Sequence, residues 1–486
     1  MELAVSIVLF LVALFLIGVY VSRKIKSAED WWIAGRGLGI VPLVGTYFAT
    51  IISTASIVGY LGYYYQVGWA GWWNWTGTAI TSLVAAAWFA EKIRSFGQVT
   101  LPDFLEARYG RVHSLIAGAL ILVAMVFFTC AQLAGASAVV TTATGLGRTP
   151  AIVIIGAVFI VFTVLGGMES VAWTDTFCSL VILVGVWILM AKVVSMAGGV
   201  VNIHRTLAQT KPGMLDPFGG GAVPLGVAIS WTVTWGVGNF GAPQFITRFY
   251  AAKDAKNAAL SQGYTGMALL AFYLPVMLIA LASSILFPGI KVTDTVTPTI
   301  VKNVLNPWLG GILMASILAA AISTADSVLL LGGTTFVRDL YQKLSSKPVS
   351  SAQLLRLSRI VTLIIGAAAI LSTIYIESGV MWIQANMVGI MGSTLAVVVL
   401  AGFAWKRANS QGALAAMLVG LLTAAIWYAL GKPFGWFPIL PSIFTSLFTL
   451  VVVSLLTPAP SESVQERFFR IKNDQGDFNA SISSAE

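Results

Sequence analysis

Five consecutive residues, Ser323-Thr324-Ala325-Asp326-Ser327, place hydroxyls and a carboxylate inside an otherwise apolar run from about residue 308 to residue 332. Such a run is long enough to cross a bilayer as a helix, where an unpaired carboxylate costs about 2.5–3.5 kcal/mol. Ser323 and Ser327 share a helical face, and oxygen ligands suit a hard cation such as sodium. The stretch predicts a cation site, unless the hydroxyls bond back to their own helix and Asp326 reaches the cytoplasmic surface.

The composition predicts an all-α polytopic membrane protein. Of the 486 residues, 58% are hydrophobic and 10% are charged, and the mean hydropathy is +0.88, which excludes a soluble globular chain. We expect about thirteen transmembrane helices, the first of them a retained helix and not a signal peptide. Numbered in chain order, the apolar segments are 2–22, 38–64, 69–91, 114–139, 150–165, 172–198, 224–246, 262–288, 307–335, 358–376, 379–404, 411–430 and 438–457.

The distribution of positive charge predicts the orientation in the membrane. Most of the 28 Lys and Arg residues, Arg248 and Arg338 among them, fall in cytoplasmic segments if the N-terminus is outside. We therefore expect a plasma-membrane protein, in the inner membrane if the cell is Gram-negative, with a cytoplasmic C-terminus. The segment 1–458 forms one transporter domain and 459–486 a polar cytoplasmic tail. The net charge of +9 then reflects topology and needs no nucleic-acid partner, and no obligate protein partner is evident.

Two of the apolar segments contain features that interrupt helices. The second packs hydroxyl residues between Ala49 and Ser56 with glycines on either side, and the seventh contains three glycines and a proline between Gly236 and Pro243. Unwound backbone inside a membrane is tolerated where it lines a cavity, and exposed helix ends can bind ions and anionic groups. The alternative for the second segment is a continuous helix whose small residues permit close packing.

The two interrupted segments lie five helices apart, which predicts two five-helix repeats. Repeat one covers about 38–198 and repeat two about 224–404. An odd number of helices inverts the second repeat relative to the first, and corresponding broken helices indicate a binding site between them. The helix 2–22 precedes the repeats, and two helices within 411–457 follow them.

Other classes of protein fit the sequence less well. No nucleotide-binding P-loop is present, so an ion gradient is the expected energy source. Cys130, Cys178, His113 and His204 have neither metal-ligand spacing nor a nucleophile partner, and we expect no enzymatic activity. A channel would need repeated filter residues, and the polar tail is too short to form the signalling domain of a sensor.

Several short motifs occur in order along these segments. They are Arg36 to Gly39, Leu101 to Phe104 with Arg108 to Gly110, Trp173 to Asp175, Pro243-Gln244 with Arg248-Phe249, Ser323 to Ser327 with Arg338-Asp339, and Trp405 to Arg407. In this order the motifs make the chain resemble the sodium:solute symporter family along nearly its full length. The resemblance implies a leucine-transporter-type 5+5 inverted repeat and sodium-driven uptake by alternating access.

The resemblance also implies the ion ligands. A sodium ion would be bound by backbone carbonyls and hydroxyls of Ala49, Ile52, Ala320, Ser323 and Thr324. A second sodium or proton site, found in some members, would comprise Asp175 with Ser323, Asp326 and Ser327. The alternative for Asp175 is an interfacial carboxylate solvated from the cytoplasm.

Solute contacts in the family come from the broken helices and from the third and eleventh spans. The corresponding residues here are Ser53, Ser56, Trp75, Thr78, Trp235, Asn239 and Gln384. Sugar-transporting members place an acidic residue near the position of Trp75, and this chain does not. We therefore expect a small carboxylate-bearing solute, such as an organic acid, an amino acid or a vitamin, with a neutral sugar or polyol as the alternative.

Overall fold

The computed structural model describes residues 2–22, 27–165, 168–345 and 349–469, and these ranges are almost entirely helical. Their one β-bridge pairs Leu38 with Ala252. The α-helices, in chain order, are α1 Glu2–Ser22, α2 Ala28–Ile33, α3 Ile40–Ile51, α4 Leu61–Val67, α5 Trp73–Val84, α6 Ala90–Phe96, α7 Leu101–Tyr109, α8 Arg111–Thr144, α9 Arg148–Leu165, α10 Met168–Met196, α11 Val200–Thr210, α12 Leu225–Gly236, α13 Pro243–Ala251, α14 Ala255–Leu286, α15 Val296–Val304, α16 Pro307–Thr334, α17 Ser351–Tyr375, α18 Val380–Met391, α19 Val397–Ala404, α20 Ser410–Ala429, α21 Ile439–Leu456 and α22 Glu462–Phe469.

Many of these helices can cross a membrane. Within the described ranges, eight helices are each long and apolar enough, and the bent pair Ile40–Ile51 and Ala55–Phe96 raises the number to nine. The predicted first and fifth spans are shorter apolar helices, and the predicted seventh span is divided between α12 and α13. The all-helical membrane architecture is therefore confirmed, while the count of thirteen spans stays a prediction.

The second predicted span is broken where its hydroxyl residues cluster. Helix α3 ends at Ile51, a wide helical turn follows from Ala55 to Tyr60, and the chain bends by 51° at the break. Side chains satisfy backbone groups that the break releases. The Ser56 hydroxyl donates to the Ile51 carbonyl at 2.8 Å, and the Ala55 N–H donates to Ser53 Oγ at 3.2 Å. The hydroxyl residues thus stabilise the interruption, and the alternative of a continuous helix is wrong.

The seventh predicted span is broken by its glycines and proline. Helix α12 ends at Gly236, and α13 begins at Pro243, whose missing N–H suits the first turn of a helix. Gly241 lies directly against the α18–α19 helix, because a Cβ there would come 2.8 Å from the Ala396 nitrogen. The break therefore permits a close backbone contact that a side chain would prevent.

Short helices occupy several segments that the sequence indicated as loops or tail. Helix α7 lies between the third and fourth predicted spans, α15 before the ninth, and α22 within the predicted polar tail. The tail helix packs on the membrane domain, because the Phe468 ring lies 4.5 Å from the ring of Phe96 and 5.7 Å from that of Phe104. Residues 470–486 of the predicted tail lie outside the described residues.

Candidate sodium and solute sites

Two of the predicted sodium ligands, Ala49 and Thr324, meet where the end of α3 packs against the middle of α16. The Thr324 hydroxyl donates to the Ala49 carbonyl at 3.2 Å, so it bonds to the broken helix α3 and not to its own helix. Ile52 caps the end of α3, and Ala320 and Ser323 are buried on α16. The structure thus brings a carbonyl of the break and a hydroxyl of α16 within reach of one small cation.

A second polar group lies beside this site, around the Asp175 carboxylate. One oxygen of Asp175 accepts a hydrogen bond from Ser323, and the other accepts from the Thr46 hydroxyl at 2.5 Å. Asp175 is completely buried, so the alternative of an interfacial carboxylate solvated from the cytoplasm is wrong. The carboxylate therefore links α10 to both α3 and α16.

Arg248 is the functional residue that the sequence interpretation placed wrongly. It was counted as a cytoplasmic loop charge, but it lies on α13 with only 1% of its side chain exposed. Its Nη2 lies 3.8 Å from Asp175 Oδ2 and donates to Ser327 Oγ at 2.8 Å, and its Nε donates to the Thr46 carbonyl at 3.1 Å. A buried guanidinium therefore balances the buried carboxylate. We call Thr46, Asp175, Arg248, Ser323 and Ser327 the ion cluster.

Asp326 has a different partner from the ion cluster. Its Oδ1 accepts from the hydroxyl of Thr163 on α9 at 2.5 Å. Within the described ranges, no salt bridge joins Asp326 to a Lys or Arg residue. Ser327 bonds back to the Ser323 carbonyl at 3.0 Å while it also accepts from Arg248. Of the residues predicted for the second site, Asp175, Ser323 and Ser327 therefore belong to the ion cluster. Asp326 lies instead where α16 contacts α9.

The predicted solute residues lie around the two helix breaks. The Ser53 hydroxyl lies 3.2 Å from Gln384 Oε1, which links the broken second span to α18. Ser56 Oγ lies 3.3 Å from the hydroxyl of Tyr273 on α14. The Tyr273 ring lies 6.4 Å from the ring of Trp75, so two of the predicted residues, Ser56 and Trp75, meet at one tyrosine that the sequence did not indicate.

The seventh span adds Trp235 and Asn239. The rings of Trp235 and Tyr60 are 6.0 Å apart and edge-to-face, and Tyr60 is also 6.4 Å from Tyr273. Asn239 Nδ2 donates to the Trp235 carbonyl at 2.7 Å, which holds the amide beside the break. We call this group the solute cluster: Ser53, Ser56, Tyr60, Trp75, Trp235, Asn239, Tyr273 and Gln384. Tyr60 and Tyr273 gave no sequence signal, because aromatic residues are common throughout the apolar segments.

Several buried polar atoms of the solute cluster have no hydrogen-bond partner among the residues that the structure describes. They are the indole N–H groups of Trp75 and Trp235, the Tyr60 hydroxyl and Asn239 Oδ1. Unpaired buried polar groups are rare in proteins because each costs about 1–3 kcal/mol. Three of these four groups are donors, so the cluster is suited to a solute rich in acceptor oxygens.

The third span contacts the broken seventh span through Thr81. The Thr81 hydroxyl lies 2.6 Å from both the Trp235 and the Gly236 carbonyls, which the break releases. The predicted residue Thr78 is buried one turn earlier on the same helix. Thr81, which the sequence did not indicate, is therefore the residue of this helix that bonds to the break.

Both ends of the solute cluster are covered. On the α3 side, Leu38 N–H donates to the Ala251 carbonyl at 3.1 Å, which joins the start of α3 to the end of α13. On the opposite side, the Thr297 hydroxyl of α15 donates to the Ile57 carbonyl at 2.6 Å. Ser53, Ser56 and Trp235 are accordingly buried. These three candidate solute residues, which lie at the two helix breaks, are therefore shielded from solvent.

Comparison with known proteins yields relatives along nearly the whole chain. The osmoregulated proline transporter OpuE of Bacillus subtilis is 27% identical over 96% of this chain and 97% of its own length. The sodium/pantothenate symporter of Escherichia coli is 30% identical over 93% of this chain and 96% of its own length.

Solved structures show the same fold. A substrate-bound, outward-open sodium-coupled sialic acid symporter superimposes with a TM-score of 0.81, covering 95% of this chain and 99% of that one at 20% identity. The transporter MhsT in complex with L-phenylalanine gives 0.53, covering 85% of this chain and 98% of that one at 14% identity. The sequence profile of the sodium:solute symporter family matches residues 31–420. The chain therefore belongs to the sodium:solute symporter family and is a sodium-coupled membrane transporter.

Proposed function

We propose that the protein imports a small carboxylate-bearing solute together with sodium by alternating access. The sodium ion binds to the carbonyls of Ala49, Ile52 and Ala320 and to the hydroxyls of Ser323 and Thr324. The solute binds in the solute cluster, on the other side of the same helix break. Because both sites share the break in the second span, sodium binding orders the backbone that the solute contacts.

The observation that carries this proposal is the set of unpaired donors in the solute cluster. The indole N–H groups of Trp75 and Trp235 and the Tyr60 hydroxyl need acceptor atoms. A carboxylate offers two oxygens, and hydrogen bonds to a charged group contribute about 1.5–3 kcal/mol each. Relatives named for proline and for pantothenate transport support the same class, since both solutes contain a carboxylate.

We further propose the topology that alternating access requires. Helices α3 to α10 form the first repeat and α12 to α19 form the inverted second repeat, with α1 before them and α20 and α21 after them. Support comes from the corresponding breaks at Ile52 and Val237 and from the fold shared with the sialic acid symporter. The N-terminus lies outside, and the C-terminus lies in the cytoplasm of a cell whose plasma membrane holds the protein.

The proposal predicts that transport discriminates a free acid from its uncharged derivatives. Purified protein in liposomes is tested by counterflow with a panel of radiolabelled acids, amino acids and sugars, with and without a sodium gradient. For the acid that is transported, its methyl ester and primary amide should inhibit at least about tenfold less, since the loss of one charged hydrogen bond corresponds to this factor or more. Equal inhibition by acid and ester, or counterflow of sugars alone, would contradict the proposed solute class.

Trp235→Phe tests the role of an unpaired donor directly. The substitution keeps an aromatic ring against Tyr60 but removes the indole N–H, so the half-saturating solute concentration should rise about tenfold or more. Trp187→Phe is the matched control, because the Trp187 N–H already donates to the Ala271 carbonyl on the outer face of the protein. Equal solute affinity in the two variants would exclude Trp235 from the solute site.

A further inference from the structure

An apolar groove opens on the outer surface of the protein between α3, α10 and α14. Its volume is about 470 Å³, within the ~300–1,000 Å³ typical of pockets for small organic molecules. Val41, Leu180 and Tyr264 form its rim, and each is more than half exposed. In a protein that crosses a membrane, a groove in this position opens to lipid.

Helices α3 and α10 touch through a glycine that lines the groove. A Cβ on Gly45 would come 2.2 Å from the Thr176 hydroxyl oxygen, so the two backbones meet there. Ser179 strengthens this contact by donating to the Gly45 carbonyl at 3.0 Å. The next residue, Thr46, donates to Asp175, so the floor of the groove is the back of the ion cluster.

Positive charge lies at one end of the groove. Tyr264 and Ala268 are four residues apart on α14 and share one face of the helix, and Lys256 lies about two turns before Tyr264, in the first turn of the same helix. The rise from Lys256 to Ala268 is ~18 Å, close to half of the ~30 Å hydrocarbon core. Lys253 is also exposed at this end, where its N–H donates to the Leu38 carbonyl at 2.8 Å, two residues before the groove residue Ile40. The carboxylate of Asp254 is engaged by Asn257, with two contacts of 2.7 Å.

We propose that this groove binds one acyl chain of an anionic phospholipid from the cytoplasmic leaflet. The lipid phosphate lies at Lys253 and Lys256, whose positive charges attract an anionic head group. The acyl chain lies along Tyr264 and Ala268 and ends over Gly45. The choice of the cytoplasmic leaflet rests on the proposed function, because it uses the membrane orientation proposed there. The groove and its charged end do not depend on that orientation. The bound chain supports the packing of α3 against α10 and thereby the position of Thr46 beside Asp175.

Photolabelling in liposomes tests the lipid site without any transport measurement. The probes are phosphatidylglycerol and phosphatidylcholine that carry the same diazirine on one acyl chain, each diluted into unlabelled phosphatidylcholine. We expect labelled peptides from α10 and α14 around the groove, with several-fold stronger labelling by phosphatidylglycerol.

Ala268→Trp fills the groove and should reduce this labelling about tenfold, as for a loss of ~1.4 kcal/mol of binding. The combined variant Lys253→Gln and Lys256→Gln should retain acyl labelling but lose the preference for phosphatidylglycerol.

Met267→Trp is the matched control, because Met267 precedes Ala268 on α14 and is exposed outside the groove. It should label as the unsubstituted protein does. Equal labelling of Ala268→Trp and Met267→Trp, or uniform labelling around the membrane surface, would show general lipid contact and overturn the proposal. Cross-links between two copies of the chain at the groove would also overturn it, because a second copy would then be the occupant. An absence of sodium-coupled uptake would contradict the proposed function and leave the labelling pattern unaffected.

Discussion

Replacing Ser323 and Thr324 together by Ala should raise the half-saturating sodium concentration at least about tenfold, the factor that corresponds to ~1.4 kcal/mol. The double substitution removes two hydroxyl oxygens from the position where α16 meets the end of α3. The backbone carbonyls of Ala49 and Ile52 stay in place, so solute binding at saturating sodium should change far less. Uptake measured at a fixed solute concentration over a series of sodium concentrations separates the two effects.

Ser316→Ala is the matched control for this experiment. Ser316 is buried on the same helix, but its hydroxyl bonds back to the Leu313 carbonyl at 2.7 Å. The control should therefore keep normal sodium dependence while it reproduces the loss of a buried serine hydroxyl from α16. Unchanged sodium affinity in the double variant would remove both hydroxyls from the sodium site.

The interrupted spans could be predicted from the sequence because their causes are local. Glycine and proline weaken a helix wherever they stand, and clustered hydroxyls offer the backbone alternative partners. The structure places the breaks at Ile52–Thr54 and Val237–Ala242, within the stretches that the sequence indicated. The candidate ligands next to a break, such as Ala49 and Ser53, are what the resemblance to the family implies and do not follow from the local pattern alone.

The partners of these residues could not be predicted in the same way because they come from distant segments. Arg248 follows an apolar run, where a positive residue ordinarily marks a cytoplasmic loop. Only the start of a new helix at Pro243 turns its side chain inward, four residues after Gln244, whose carbonyl accepts from Arg248 Nη1 at 2.6 Å. The position of Pro243 after the glycines was the available signal, since proline commonly begins a helix.

The same limit applies to the hydroxyls of α16. Sequence alone left two alternatives, bonding back to the helix or binding a cation, and the structure shows that neighbouring residues differ in whether they bond back. Ser327 bonds back to Ser323, whereas Thr324 reaches Ala49 and Ser323 reaches Asp175. The helix that faces each side chain decides between the alternatives, and helical periodicity shows only which residues share a face.

The pairing of Asp175 with Arg248 should make each residue costly to replace alone and less costly to replace together. Breaking a buried ion pair typically costs about 3–5 kcal/mol, because the remaining charge is left without a partner in a medium that solvates it poorly. Asp175→Asn and Arg248→Gln should therefore each lower the thermal midpoint of the purified protein substantially. The double variant should be more stable than the sum of the single effects predicts, since no charge is stranded.

Sodium binding should respond differently from stability in this series. Asp175 accepts from Ser323, so Asp175→Asn alters a proposed sodium ligand, and its sodium affinity should stay low even where Arg248→Gln restores stability. Asp294→Asn is the control, because Asp294 lies outside the ion cluster and an amide oxygen can still accept from the Val380 N–H, as the carboxylate does at 3.2 Å. Thermal unfolding and sodium-dependent uptake, measured on all four variants, decide the assignment. If the two single effects on the thermal midpoint simply add in the double variant, the Arg248–Asp175 pair does not hold the ion cluster together.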